Sequence, residues 1–376
     1  MPRIMISHGQ SAKNFVDYLC ENSLKRVLVI TSSRAWEQSK ISSHLENFFP
    51  DIQVILFHDF CPNPTFEEIH RACLLAEKHN TQAVLGLGGG TAMDIAKSVV
   101  VMAGLSEDAA KALILEPNSE IPVRKSHLIA IPTTAGSGSE ATHFAVVYLD
   151  CKKYSLADPG MLPDISLIDG TLSYSMPSDL AASCGLDALC QAMESYWSVN
   201  ATEISKNYAL SAIKFLVLHI EDAVLLKSPK SCNAVAEAAS LAGQAINISK
   251  TTAAHAFSYY LTYTHNIPHG HAVSLCFPGT ALCNYHSDEL YLDAAELSGR
   301  FERLFNITQT EGIDQFVSWF TSLMRKLGLE TSLKKMGFNP TEEMDEFLNS
   351  VNLERLKNNP AKIDTQYFTK IILEEA

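Results

Sequence analysis

Four short apolar runs in the first half of the chain, separated by stretches of helical periodicity, constrain the fold more than any other feature. They are "RVLVITS" (26–32), "DIQVILFHDF" (51–60), "QAVLGLGGG" (82–90) and "HLIAIPTT" (127–134). Between them, "AWEQSKISSHLENFF" and "TFEEIHRACLLAEKHN" place apolar residues three and four apart, as crossover helices do. Strands that return through helices run parallel and are covered on both faces, so the first half is predicted to be an α/β domain with a parallel sheet. After "DISLIDG" (164–170) and the cap-like "MPSDLAA" the pattern changes. "DLAASCGLDALCQAMESYW", "NYALSAIKFLVLHIEDAVLL" and "SCNAVAEAASLAGQAINI" are long helical segments, and strand-like runs become few. A chain of 376 residues exceeds what one core usually serves. The expectation is an α/β domain over residues 1–176 and an all-helical domain over 177–376, with a ligand cleft between them.

A formal charge of −13 argues against nucleic acid or a membrane surface as partner, since both are anionic. The opening "MPRIMISHGQ" lacks a signal-peptide layout, and no run of about 18 apolar residues occurs. A cytoplasmic protein is expected. The nine cysteines show no C-x-x-C pair and read as packing residues.

Two turns follow strands. "AVLGLGGGTAMDIAK" runs from a buried strand through Gly88, Gly89 and Gly90 into a helix carrying Thr91, Asp94 and Lys97. Glycines let a backbone approach a diphosphate, and a helix N-terminus supplies free amides. The spacing is not the Rossmann G-x-G-x-x-G, and the cluster alone reads equally as a tight turn. "IAIPTTAGSGSE" then offers Thr133, Thr134, Ser137 and Ser139 after a second strand. Two such loops on neighbouring strands make a polar wall that fits a dinucleotide. In the helical half, Asp187 and Gln191 stand four apart and share a helix face. An Asp and a His at that spacing would read as half of a metal site.

These loops, with "GLDALCQAMESYW" and "HAFSYYLTYTHNIPHGHAV", resemble the iron-containing, or group III metal-dependent, alcohol dehydrogenase family over nearly the whole chain. The resemblance implies a dinucleotide-binding α/β domain, an all-helical C-terminal domain of dehydroquinate synthase-like architecture, and NAD(P)-dependent hydride transfer between alcohol and aldehyde beside a divalent metal, Fe2+ or Zn2+. It places Gly88, Gly89, Gly90 and Thr91 on the pyrophosphate, with Asp94 opening the helix. Thr133, Thr134 and Ser137 would line the nucleotide, Lys153 of "KKYSLAD" would reach the nicotinamide ribose, and Asn63 with Pro64 would stand at the cofactor's edge. Many NAD-preferring members carry an Asp after the first strand. Here Ser32, Ser33 and Arg34 stand there, so NADPH is expected to be tolerated or preferred.

The family's metal ligands are an Asp and a His on one helix, then two His fourteen residues apart. Asp187, His255 and His269 match, and the remaining position is Gln191. Gln191 either adds an amide oxygen to the metal or hydrogen-bonds to Asp187 or to substrate. His265 and His271 match no ligand and read as supporting or packing residues. Tyr259 replaces a His near the substrate and either relays a proton or packs against the nicotinamide. The pattern looks most like the phosphonoacetaldehyde reductases, which implies reduction of an aldehyde with a phosphonate tail to 2-hydroxyethylphosphonate. Lys250, Thr251 and Thr252 are the candidate anion site. The alternatives are a dehydrogenase of another small aldehyde or hydroxy acid, and a metal-poor nucleotide-binding protein or a lyase on the same architecture. The oligomeric state stays open, a homodimer included.

Overall fold

The computed structural model describes residues 1–116, 121–150, 152–351 and 356–375. Two compact units divide the chain, Met1–Ser175 and Met176–Ala376.

The first unit contains the strands β1 (Arg3–Ile6), β2 (Arg26–Thr31), β3 (Gln53–Phe57), β4 (Ala83–Gly88), β5 (His127–Pro132), β6 (Phe144–Leu149), β7 (Lys152–Ala157) and β8 (Ile165–Ile168). Six of them form one parallel sheet in the order β1-β8-β5-β4-β2-β3. The helices are α1 (Ser11–Glu21), α2 (Ser33–Ser39), α3 (Ile41–Phe48), α4 (Phe66–Lys78), α5 (Gly90–Met102) and α6 (Glu107–Leu115). Alternate side chains of β2 and β4 feed two separate cores. Leu28, Ile30 and Val84 join one with α4 and α5, while Val27, Val29, Leu85 and Leu87 join the other with Phe15 and Leu19 of α1. That two-sided burial is why these strands read as unbroken apolar runs.

Two features depart from the sequence pattern. The single crossover helix expected over 35–49 is two, because Lys40 takes a left-handed conformation (φ 57°) and ends α2 as it begins α3. An antiparallel hairpin of β6 and β7 stands outside the main sheet, in a region where no strand was expected.

The second unit is helical: α7 (Ser178–Trp197), α8 (Glu203–Glu221), α9 (Pro229–Ser249), α10 (Ala253–His265), α11 (His269–His286), α12 (Ala294–Thr308), α13 (Ile313–Lys326), α14 (Pro340–Asn349) and α15 (Thr365–Glu375). Helix α7 is buried from Gly185 to Trp197 without an exposed face, as a helix packed on all sides must be. Its neighbours include α8, α9, α10 and α11. Trp197 at its end stacks on Phe277 with ring centroids 5.4 Å apart. Polar residues within such a helix need a reason, and Asp187, Gln191 and Glu194 lie on it at 5%, 4% and 0% exposure. Among the described residues no helix is long and apolar enough to cross a membrane.

Candidate metal and dinucleotide sites

Helices α7, α10 and α11 bring Asp187, His255 and His269 together, with one donor atom of each within 4.8 Å of the others. Gln191 joins them by donating its Nε2 to Asp187 Oδ2 at 3.1 Å. Only the amide nitrogen has a proton to give a carboxylate, so that bond fixes the flip and leaves Oε1 as the other end. His255 Nε2 lies 3.3 Å from Asp187 Oδ1, but without hydrogen-bond geometry. Asp187 Oδ1, Gln191 Oε1 and His255 Nε2 are thus buried with no hydrogen-bond partner among the described residues. Orphaned acceptors are rare in a folded interior, and Asp187 Oδ1 and His255 Nε2, 3.3 Å apart, leave a place that a cation would fill. Two donors about 2.1 Å from one tetrahedral metal stand about 3.4 Å apart, close to the separation of Asp187 Oδ1 and His255 Nε2. The residues present fit a divalent metal.

The titration behaviour agrees. Burial works to lower the His255 imidazole, but Glu194 and Asp187 outweigh it and raise it to about 10. Burial works to raise the Asp187 carboxyl, and His255, His269 and Gln191 together hold it below the usual range. The site demands positive charge, which a ring proton or a metal supplies in competition.

Glu194 is the residue that sequence reasoning missed. Wholly buried, it accepts from the Thr252 hydroxyl at 2.8 Å, from the Ala254 backbone N–H at 2.7 Å and from His255 Nδ1. It therefore sets which His255 nitrogen faces Asp187. The signal was available, because Glu194 follows Asp187 by seven residues and shares its helix face. Thr252 also accepts from Trp197 Nε1 at 2.9 Å. Its hydroxyl is committed on both sides, so Thr252 supports Glu194, and the expected anion-binding role for it is corrected. Tyr259 lies flat against His269, centroids 5.7 Å apart and planes 5° apart. His271 Nε2–H donates to the Glu330 carbonyl at 2.7 Å and His265 pairs with Glu343, which gives each a partner outside the donor set. Lys250 is exposed on the turn between α9 and α10.

In the first unit the two polar loops meet at the ends of β4 and β5. Thr133 N–H donates to the Gly88 carbonyl at 2.9 Å. A Cβ on Gly89 would stand 3.2 Å from Thr134 Oγ1, and one on Gly90 would stand 3.6 Å from Ser137 Oγ. Gly89 caps α5 without a side-chain hydrogen bond, so the first-turn amides there, Thr91 included, have no side-chain cap to compete with a ligand. Such a cradle fits a pyrophosphate. Ser32 stands one strand over, after β2, and its hydroxyl caps α2 through the Ala35 N–H. Arg34 donates to the Ser175 carbonyl at 2.7 Å. Asn63 has φ 66°, and Lys153 lies on β7 opposite Tyr148.

Behind the loops sits a charged pair, Lys97 buried and Asp94 half-buried. Lys97 donates to Ser139 Oγ (3.0 Å), Thr142 Oγ1 (2.8 Å) and the Phe144 carbonyl (2.9 Å), while Ser139 donates to Asp94 at 3.3 Å. Asp94 and Lys97 therefore pin the second loop to the helix that begins at the first. Burial pushes the Asp94 carboxyl up to about 6 against the pull of Lys97, and pushes Lys97 down to about 8 against Asp94. Asp94 then contributes stability below its unfolded pKa that is lost as pH rises through about 6. Lys97 contributes stability above its unfolded pKa that is lost as pH falls through about 8. Asp94→Asn is accordingly expected to gain on the wild type as pH rises from 4 to 6, by on the order of 2 kcal/mol in urea unfolding. A difference independent of pH over that range would mean the carboxylate is not desolvated.

The comparisons with known proteins come from both halves of the chain. Residues 2–170 match the family described as iron-containing alcohol dehydrogenase, and residues 181–376 match the C-terminal region of the Fe-containing alcohol dehydrogenase family. The bifunctional aldehyde-alcohol dehydrogenase of Escherichia coli K12 is 29% identical over 90% of this chain, which spans 41% of that relative's length. The 1,3-propanediol dehydrogenase of Klebsiella pneumoniae is 27% identical over 76% of this chain and 74% of its own. Among solved structures, a sulfoacetaldehyde reductase from Bifidobacterium kashiwanohense in complex with NAD+ superposes with a TM-score of 0.89 at 27% identity, covering 100% of this chain and 97% of the other. The fold and site define a class of oxidoreductases that work with NAD(P) and a divalent metal such as Fe2+. Within that class, the chain belongs to the iron-containing alcohol dehydrogenase family.

Proposed function

We propose that the chain reduces a short aldehyde bearing an anionic tail, using NADH or NADPH and a divalent metal held by Asp187, His255, His269 and Gln191 Oε1. The observation that carries this reading is the set of three buried, unpartnered donor atoms on α7 and α10. Phosphonoacetaldehyde, giving 2-hydroxyethylphosphonate, is the substrate we assign. A sulfonate tail is the second reading, favoured by the likeness to a sulfoacetaldehyde reductase.

A divalent metal in this donor set supplies Lewis-acid polarisation of the carbonyl. The side chains do the rest. Glu194 anchors His255 through Nδ1 and so offers Nε2. Tyr259 fixes the plane of His269 and is the phenol assigned to protonate the alkoxide oxygen. As the aldehyde carbon gains a hydride, its oxygen gains that proton, which balances the conversion of carbonyl to alcohol. The α5 amides with Thr133, Thr134 and Ser137 are assigned to the pyrophosphate, while Lys153, Asn63 and Ser32 are assigned to the remainder of the cofactor. No acid among Ser32, Ser33 and Arg34 repels a 2′-phosphate, so NADPH is accepted. Lys250 pairs with the substrate's tail.

The test follows nicotinamide oxidation with a panel of aldehydes, before and after chelation and with Fe(II) or Zn(II) restored. Phosphonoacetaldehyde is expected to turn over in a chelator-sensitive manner, with kcat/KM at least about ten-fold above propionaldehyde, one charge-assisted contact's worth. Equal or better turnover of uncharged aldehydes sinks the anionic tail. No turnover under any metal condition sinks the reductase.

A further inference from the structure

The turn joining α9 to α10 holds a backbone conformation ill suited to its residue. Lys250 has φ 62° and ψ 175°, a combination that belongs almost wholly to glycine. Lys40, Lys227 and Asn266 also have positive φ, but their ψ values of 14°, 38° and 28° lie in the ordinary left-handed well. Lys250 is strained where they are not. Such a conformation persists only when its surroundings over-determine it.

Those surroundings are specific. Asn358 donates its Nδ2 to the Ser249 carbonyl at 2.7 Å and to the Thr251 carbonyl at 2.9 Å, the two carbonyls on either side of Lys250. Its Oδ1 accepts from Ser198 Oγ and Asn200 Nδ2, both at 2.7 Å. Asn358 is itself buried, so its amide is held at both ends. Just beyond the turn, Thr252 and Ala254 are fastened to Glu194, the carboxylate that orients His255. The turn is therefore rigid on both flanks and lies five residues before a proposed metal ligand. A glycine would meet the backbone requirement without strain, so what lysine adds at this place is its exposed ammonium.

We infer that Asn358 is a positioning residue that clamps Lys250 in its glycine-like conformation and thereby fixes the anion-binding ammonium relative to the donor set. The substrate half of this inference rests on the anionic-tail reading; the clamp does not.

The experiment compares metal-loaded wild type with Lys250→Ala, Lys250→Gly, Asn358→Asp and the Lys250→Gly/Asn358→Asp double variant. Asn358→Asp keeps the oxygen facing Ser198 and Asn200 and removes the donor to the turn. Alanine is ordinarily the more stabilising of the Ala and Gly pair. Here Lys250→Gly is expected to melt above Lys250→Ala, by a few degrees, because it releases the strain. Asn358→Asp is expected to raise KM for phosphonoacetaldehyde at least about five-fold with little change for propionaldehyde, one contact misplaced, and to add nothing further in the Lys250→Gly background. A Lys250→Gly protein melting at or below Lys250→Ala overturns the clamp. An Asn358→Asp protein whose KM rises alike for charged and uncharged aldehydes overturns the positioning role. A wild type with no preference for anionic aldehydes defeats the substrate reading alone, and the order of melting temperatures then decides the clamp. Should Asn358→Asp fail to fold, Asn358→Ser takes its place in the kinetics, and the two Lys250 variants carry the strain test unaided.

Discussion

Asp187→Asn is expected to strip the divalent metal from the protein and to lower kcat/KM for aldehyde reduction by about 1,000-fold, the rate equivalent of several kcal/mol of lost polarisation. The substitution keeps the shape of the side chain and removes the anion that a cation has to meet. Asp187 Oδ1 is one of the three orphaned donors, and its other oxygen is what holds the Gln191 amide with Oε1 free. Losing the carboxylate therefore disturbs two proposed ligands together. Glu194→Gln should act more gently, costing about 10- to 100-fold in metal affinity, because it weakens the support of His255 and leaves the donors in place. Metal content by elemental analysis, read beside turnover, separates the two variants. An Asp187→Asn protein that keeps both its metal and its activity would show that the cluster is not the metal site.

The second large effect comes from a residue with no side chain. A Cβ on Gly270 would stand 2.1 Å from the Ser183 carbonyl oxygen and 2.7 Å from Asp187 Cβ. Helix α11 can thus carry His269 to Asp187 only because the next residue lets it lie directly on α7. Gly270→Ala must push the helices apart, at a cost of about 3 kcal/mol or more, since both obstacles belong to a packed helix and not to a flexible side-chain tip. For a unit of about 200 residues that corresponds to a fall of roughly 6–12 °C in Tm. Metal retention should fall with it, because His269 moves with α11. A variant that melts within a degree of the wild type with its metal intact would show that α7 and α11 have room to spare.

The strands β2, β4 and β5 were legible in the sequence because each is covered on both faces and so is apolar at nearly every position. The β6 and β7 hairpin was not, since it stands outside that sheet, is only half-buried along β6 and is mostly exposed along β7, so it lacks the unbroken apolar run of a strand covered on both faces. The break at Lys40 was likewise hidden, because lysine carries no preference for a left-handed backbone. Asp187, Gln191, His255 and His269 could be picked out by spacing and by resemblance. Glu194 could have been, from its place on the Asp187 face of an otherwise apolar helix. Its role depends on residues about sixty positions away and the demand for glycine at 270 on residues more than eighty away, and no local pattern encodes either. The Asp94 and Lys97 pair was visible as two residues of a motif, but the burial of Lys97 against the second loop was not.

In the proposed function this chain joins a metal-assisted carbonyl site to a cation, Lys250, that meets an anionic tail. Steady-state kinetics of metal-loaded Lys250→Ala against wild type, with phosphonoacetaldehyde and propionaldehyde, test it most directly. The variant is expected to lose at least about ten-fold in kcat/KM for phosphonoacetaldehyde, through KM, and to change less than about two-fold for propionaldehyde, since only one charge-assisted contact is removed. An equal loss for the two aldehydes, or none for either, would contradict it.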